Sequence, residues 1–423
     1  QVSEVTMFII EQEKKEWLLE QFGFGDPNWT EIAREYEEIF GERRHRSTIR
    51  RWVLTLIREA KIEELHGEEG LLQDEVSTKR AKLESAHFKK RVSDLVNKQL
   101  SHENIVEVIK DSTQALPPVE IRSYSNPKSS SESPIVAVAP LTDLHIGEFI
   151  DSDQMGGMNE YNFEIFSRRL SGWTNQVLDL VSLRRTFAQI PTIKVPMLGD
   201  MVSGEIHEEL VKSNLDNPVM TMARGAYITA QSMMILAEHF EEVHIDAVVG
   251  NHQRLRKEIY YKDKYVGWDF LFYQWVAAFC KNQKNIKFTI PKTFYQLIDV
   301  AGWDVLIHHG DAMRGSSMQQ KVHSLRQALQ PQGKSFQYMF MGHYHHVEEH
   351  DIGTGTALMC GCMKGTDEYA FLHGLASRAT HVLTFFHPKH GMISRDTIFL
   401  EKYDNSEDTF NDYVPEIWAS LIE

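Results

Sequence analysis

Apolar residues recur at helical spacing in the first part of the chain and in strand-like runs over the rest. Trp29, Ile32, Ala33, Tyr36 and Phe40 lie three or four apart, which predicts an amphipathic helix over 29–40. Gly41 ends it. Ser47 is a good N-cap for a second helix over 48–60, with Ile49, Trp52, Val53 and Leu56 inward. A charged amphipathic helix is expected over 79–100, and Ser101 caps another through Ile105, Val108 and Ile109. Residues 123–134, Ser-Tyr-Ser-Asn-Pro-Lys-Ser-Ser-Ser-Glu-Ser-Pro, have almost nothing to bury and read as a flexible linker. Beyond it, 135–141, 193–198, 243–249, 305–307 and 338–341 are apolar runs that predict buried strands. Helical stretches such as 163–183 and 226–240 separate them. The pattern predicts an all-α domain over 1–65, a helical arm over 66–122, the linker, and a layered α/β domain over 135–423.

Charge sharpens the N-terminal picture. Arg43, Arg44, Arg46, Arg50, Arg51 and Arg58 sit on the second helix and its approach, with no acid between Glu42 and Glu59. Helix, short basic turn, helix is the outline of a helix-turn-helix unit. Guanidinium groups at a helix start suit phosphates and guanine edges. The plain alternative is a solvated basic face on a small bundle. Lys79, Arg80, Lys82, Lys89, Lys90 and Arg91 in the third helix read equally as a solvated face, an arm along a nucleic-acid backbone, or a dimer helix, so a homo-oligomer is admitted.

Composition bounds the rest. At 423 residues the chain is too long for one ordinary core. A 42% hydrophobic and 25% charged composition is that of a soluble globular protein. No apolar run approaches the roughly 20 residues that span a bilayer, so no membrane partner is expected. Glu and Lys run through residues 1–20, so no signal peptide is expected. Cys280, Cys360 and Cys362 cannot make a disulfide framework, and a reducing cytoplasm fits them. Cys360-Gly361-Cys362 lacks a second cysteine pair and reads as strand. A net charge of −15 opposes indiscriminate coating of nucleic acid but leaves room for a local basic patch.

Each expected strand after the linker is followed at once by a short motif. In order they are Asp143-Leu144-His145, Gly199-Asp200, Gly250-Asn251-His252, His309-Gly310 and Gly342-His343-Tyr344-His345. Singly these are ordinary turns. Together, at strand ends where ligands of α/β folds gather, they supply the carboxylate, imidazole and amide donors of a two-metal hydrolytic site. Mn²⁺ is the expected metal, although Fe and Zn²⁺ accept the same donors.

Residues 134–400 resemble the calcineurin-like metallophosphoesterases, all five motifs being present. The resemblance implies a four-layer β-sandwich flanked by helices, with a dinuclear site at one edge. It implies that Asp143, His145 and His345 hold one metal, that Asn251, His309 and His343 hold the other, and that Asp200 bridges them. His252 would stabilise the transition state or protonate the leaving group. His309 is preferred to His308 because the family element is His followed by Gly.

Departures from the family pattern bear on substrate. The family's protein Ser/Thr phosphatases have an Asp three residues after the bridging Asp, then an Arg that grips phosphate. Here Ser203 and Gly204 stand there. Mre11/SbcD-like nucleases carry a His at the Ser203 position, so the usual partner of His252 is missing, with Glu205 or His207 as substitutes. Where many members have an acid after Asn-His, this chain has Gln253, then Arg254, Arg256 and Lys257. With Arg314, Lys321 and Arg326, these suit a polyanion, although each could equally be a paired surface charge. The expectation is a metal-dependent phosphodiesterase that cleaves DNA as an exo- or endonuclease. The alternatives are a phosphomonoesterase or nucleotide or phosphoprotein phosphatase whose N-terminal helices bind a partner, and a DNA-binding regulator with an idle metal site. An intact donor set argues against the last.

Overall fold

In this computed structural model the described residues are 17, 29–41, 49, 107, 109–122, 134–204, 218–254, 267–311, 313 and 317–413. The chain falls into two compact units, 1–100 and 101–423. In the first, helix α1 (Trp29–Phe40) buries Ile32 and Tyr36 and stacks Tyr36 and Phe40 with Trp17 at 4.9–6.0 Å between ring centroids. Gly41 closes it, with φ 67° and its N–H donating to the Glu37 carbonyl at 2.9 Å, as the sequence predicts. The rest of the expected helix-turn-helix, including Arg43, Arg44, Arg46, Arg50 and Arg51, lies outside the described residues. So do the helix over 79–100, Glu205, His207, Arg256, Lys257 and Arg314.

The second unit carries two sheets. One has the order β11-β10-β1-β2-β3-β4: β1 (Val136–Val138), β2 (Thr192–Lys194), β3 (Glu242–Asp246) and β4 (Ile286–Thr289) are parallel, and the hairpin β10 (Thr380–His387) and β11 (Gly391–Phe399) joins antiparallel to β1. The other has the order β5-β6-β7-β9-β8. Its centre, β6 (Trp303–His308), β7 (Tyr338–Met341) and β9 (Thr356–Cys360), is parallel; its edges, β5 (Tyr295–Val300) and β8 (Val347–Asp351), are antiparallel.

Side-chain alternation builds the layers. Val305, Ile307, Phe340, Leu358 and Cys360 point between the sheets and meet Val138, Leu198, Val382 and Phe386. Leu306, Met339, Met341, Ala357 and Met359 point the other way, under helix α5 (Met318–Leu329). On the far face of the first sheet, α2 (Phe163–Arg185), α3 (Pro218–His239) and α4 (Trp268–Phe279) bury Trp173, Phe240, Phe272 and Phe279 against Ala137, Ile193 and Val243. Helix, sheet, sheet, helix is the four-layer arrangement that the resemblance implies. Leu116 and Val119, within the expected arm, pack on this same core.

Two prolines explain why β1 and β2 are shorter than their apolar runs. Pro140 and Pro196 lack the N–H that a regular ladder needs. Pairing continues past them through Leu141↔Met197 and Met197↔Ala247, which carry both strands to their motifs.

Candidate metal centre

The first two motif loops leave the sheet side by side. Asp143 N–H donates to the Gly199 carbonyl at 3.0 Å, and His145 N–H to the Asp200 carbonyl at 3.1 Å. Two motif glycines are demanded by this closeness. A Cβ at Gly250 would overlap the Asp200 carboxylate, and one at Gly342 would overlap Thr142 Oγ1 and Asp143 Oδ2. Asp143, His145, Asp200, His343 and His345 all have φ between 44° and 70°. Among the described residues, Ala301 is the sole other non-glycine with positive φ. Such backbone costs about 1–3 kcal/mol per residue and gathers where function requires it.

These turns bring all seven expected ligands to one place. Donor atoms of Asp143, His145 and His345 lie within 4.8 Å of one another, as do those of Asp200, His309 and His343, and those of His145, Asp200 and His252. Asp143 Oδ2 accepts from Thr142 Oγ1 at 2.5 Å and from His343 N–H at 2.9 Å. Its Oδ1 is buried and accepts no hydrogen bond, although His345 Nε2 is 3.2 Å away and His145 Nε2 3.8 Å. The two Nε2 atoms face each other at 3.2 Å. Three lone-pair donors converging without a hydrogen shared at Oδ1 fit a cation.

The other group is built on Asp200. Its Oδ2 lies 3.0 Å from His309 Nε2, which also lies 3.0 Å from Asn251 Oδ1. His309 Nδ1 donates to the Leu198 carbonyl at 2.8 Å, which leaves Nε2 as the ligating nitrogen. His308, at the end of β6, accepts from Gly310 N–H through Nδ1 and takes no place in the group.

Electrostatics prepare both groups for cations. Burial opposes ionisation of Asp143, but His145 and His345 hold its pKa well below the usual carboxylate value. Burial likewise opposes ionisation of Asp200, and His309 and His252 overcome it. Burial pushes His145 down to about 4, aided by the charge of Lys364. Burial pushes His343 down to about 4 as well, aided by His309. His309 differs: burial lowers its pKa, but Asp200 drives it up to about 10. Without a cation, its imidazolium supplies the positive charge that Asp200 requires. Ligands must shed protons to bind metal, so His145 and His343 are ready for a divalent cation as neutral imidazoles, whereas His309 must first give up a proton.

His252 has a partner that its sequence position does not reveal. Its Nδ1 donates to the Ser203 backbone carbonyl at 2.9 Å, and its N–H donates to Asp200 Oδ1 at 2.7 Å. The acid absent after His252 is supplied from α4: Asp269 accepts from Asp200 N–H, Met201 N–H and Gly250 N–H at 2.8–2.9 Å and ties two motif loops together. Burial, then the Asp200 carboxylate, pushes its pKa up to about 7. Glu148 and Lys364, both buried, stand behind His145. None of Asp269, Glu148 and Lys364 is a ligand by position. The available signal was an acid in the first turn of a helix, and an acid three residues after His145.

The expected polyanion-binding residues divide. Arg254 Nε donates to the Asn251 carbonyl at 2.9 Å, so this guanidinium braces the motif turn. Arg326, half-exposed on α5, donates to the Phe336 and Ile352 carbonyls and to Thr354 Oγ1, which ties the helix to the strands beside it. Cys360 and Cys362 are buried and free, with burial raising both thiols.

No protein-family model matches the chain. It is 20% identical over 362 residues, 81% of this chain and 85% of the other, to the SPbeta prophage-derived uncharacterized protein YonJ of Bacillus subtilis (strain 168). Similar solved structures include a novel archaeal phosphodiesterase, at 11% identity and TM-score 0.29 over 62% of this chain and 99% of that one. They also include wild-type Vps29 complexed with zinc from Entamoeba histolytica, at 11% identity and TM-score 0.25 over 62% and 99%. A hypothetical protein from Pyrococcus horikoshii OT3 aligns at 9% identity and TM-score 0.31 over 68% and 92%. The layers, the strand-end motifs and the clustered donors agree with the arrangement that the resemblance implies. The donor set suits divalent cations.

Proposed function

We propose that the protein is a dinuclear phosphodiesterase that hydrolyses the DNA backbone. The observation that carries the two-metal part is that Asp200 shares one donor group with His309 and His343 and another with His145, which in turn groups with Asp143 and His345. Asp143, His145 and His345 would hold one cation. Asn251, His309 and His343 would hold the other, with Asp200 between. Mn²⁺ is the metal of choice, Fe and Zn²⁺ being accepted by the same donors. When bound, such a pair supplies Lewis-acid charge to the phosphoryl oxygens and lowers the pKa of a nucleophilic water.

The chain's own groups do the rest. The three N–H bonds to Asp269 fix the Asp200 and Gly250 turns, which keeps the carboxylate in register with both donor groups. His252 is oriented by the Ser203 carbonyl at Nδ1; carrying a second proton on Nε2, the imidazolium would hand that proton to the leaving oxygen and be left as the Nδ1–H tautomer. Its ring stands edge-on to His145 at 4.6 Å between centroids, so it belongs to the same cleft as the first donor group.

The diester reading rests on what replaces the phosphatase elements. Ser203 and Gly204 are both buried, and neither can grip a terminal phosphate as an arginine would. The DNA reading rests on the arginines of 43–58 and of the segment after His252. The N-terminal unit would deliver the substrate, with Arg43, Arg44, Arg46, Arg50 and Arg51 on phosphates. A cytoplasmic setting agrees with the three reduced cysteines, and no described helix is long and apolar enough to cross a membrane.

The test is incubation with Mn²⁺ and labelled single- and double-stranded DNA, beside p-nitrophenyl phosphate and its bis-ester. DNA and bis-ester cleavage that disappears in Asn251→Ala and His252→Ala is the expected result. Monoester hydrolysis without DNA cleavage would sink the nuclease reading and leave the phosphatase alternative.

A further inference from the structure

A buried charged network sits behind His145 and reaches both sides of the cleft. Lys364, 3% exposed, donates to Glu148 Oε1 at 2.8 Å and is braced on its other side by Asp367 at 2.5 Å. The second oxygen of Glu148 turns the other way. Oε2 accepts from Ser203 Oγ at 3.1 Å and lies 3.5 Å from His145 Nδ1, a buried nitrogen with no hydrogen-bond partner. Ser203 is fully buried, and its carbonyl is the acceptor for His252 Nδ1.

Burying an ammonium and two carboxylates is expensive, and apolar packing of equal volume is often as stable. Stability alone is therefore a poor reason for such a triad to set a carboxylate 3.5 Å from a candidate ligand ring. Geometry supplies a better one. A histidine that commits Nε2 to a cation carries its proton on Nδ1, and that N–H is ordinarily given to a carboxylate or carbonyl that fixes the ring. His309 uses the Leu198 carbonyl for this purpose. For His145, the carboxylate at hand is Glu148.

We propose that Glu148 is a positioning residue for two histidines at once. Through Oε2 it takes the Nδ1–H of His145 when Nε2 is committed to a cation. Through the Ser203 hydroxyl it fixes the peptide whose carbonyl orients His252. Lys364, itself braced by Asp367, holds the carboxylate in place. The inference rests on the metal-centre reading above and is independent of the DNA reading.

The test uses the full chain, Mn²⁺ titration calorimetry, and steady-state hydrolysis of bis-p-nitrophenyl phosphate. Glu148→Gln is expected to weaken one of two Mn²⁺ sites by ~10–100-fold and leave the other unchanged. Ser203→Ala keeps the carbonyl but removes the hydroxyl tether. It is expected to lower kcat on the order of tenfold, with KM and both Mn²⁺ affinities unchanged. A folded Glu148→Gln protein that binds two Mn²⁺ as tightly as the wild type overturns the His145 limb. Ser203→Ala with wild-type kcat overturns the His252 limb. If Glu148→Gln fails to fold, the double variant Glu148→Gln/Lys364→Met removes both charges and is read by the same criteria. A wild-type protein that takes up no Mn²⁺ overturns the metal reading and this inference together. Absent DNA cleavage with intact Mn²⁺ binding touches the DNA reading alone.

Discussion

The two halves of the metal centre use the same residue types but are held by different means. On the side of Asp143, His145 and His345, the backing is a buried network of charged side chains drawn from distant segments, with Lys364 and Glu148 216 positions apart. On the side of Asp200, Asn251 and His309, the backing runs through peptide groups: the Leu198 carbonyl under His309, and three N–H groups gathered by a single buried carboxylate, Asp269. The consequence is electrostatic. His145 is held neutral by burial and Lys364, whereas His309 is drawn toward the charged form by Asp200. A peptide-backed half tolerates surface change around it. A half backed by buried charge depends on every member being present.

The largest effect tests what the halves share. Asp200→Ala should abolish tight binding of both cations and lower kcat/KM for the bis-ester on the order of a thousandfold or more, since several kcal/mol of charge stabilisation disappear. Retention of two tightly bound Mn²⁺ would show that the halves are independent sites. His252→Ala comes next. It should lower kcat by roughly 10²–10⁴-fold while Mn²⁺ stoichiometry stays at wild type, because His252 handles a proton rather than a cation.

Separating the halves is a finer test. His345→Ala should reduce Mn²⁺ uptake by one equivalent and leave the His309 side loaded; His309→Ala should do the converse. If either variant loses both ions, the halves are more tightly coupled than their separate backing suggests. Asp269→Asn sets an amide NH₂ against one of the three backbone N–H groups. It should cost about 1–3 kcal/mol in unfolding free energy, read by urea denaturation, and weaken the Asp200 side first. The smallest effect is expected from the arginines. Removing residues before Pro134 should lower the salt dependence of DNA binding by about 0.7–0.9 in log–log slope for each phosphate no longer neutralised. An unchanged slope would return that cluster to a solvated face.

Much of the centre was legible because ligands follow strands. The apolar runs ending at Leu141, Leu198, Val249, Ile307 and Met341 give the strand ends, and the motif after each gives the donors. The antiparallel edges were less legible. Strand β8, Val-Glu-Glu-His-Asp, is polar at all but its first residue because it lines a sheet edge, so its period is hidden. Strands β10 and β11 close the first sheet from the far end of the chain, and nothing local marks β1 as their partner. The residues that hold the ligands were not legible at all. Glu148, Asp269 and Lys364 act through hydrogen bonds across 19 to 216 positions, and a charged residue in a short motif-flanking segment looks like any surface charge until folding buries it. Ser203 shows the limit most plainly: a partner of His252 is expected among side chains, and a backbone carbonyl, which every residue carries, accepts from its Nδ1.

Everything in the proposed chemistry depends on two cations sharing Asp200. Anomalous diffraction from crystals grown with Mn²⁺ would see them directly. Two anomalous peaks roughly 3.5–4 Å apart are expected, one against Asp143, His145 and His345, one against Asn251, His309 and His343, with the Asp200 carboxylate touching both. A single peak, or two peaks that Asp200 does not join, would contradict the shared-carboxylate centre.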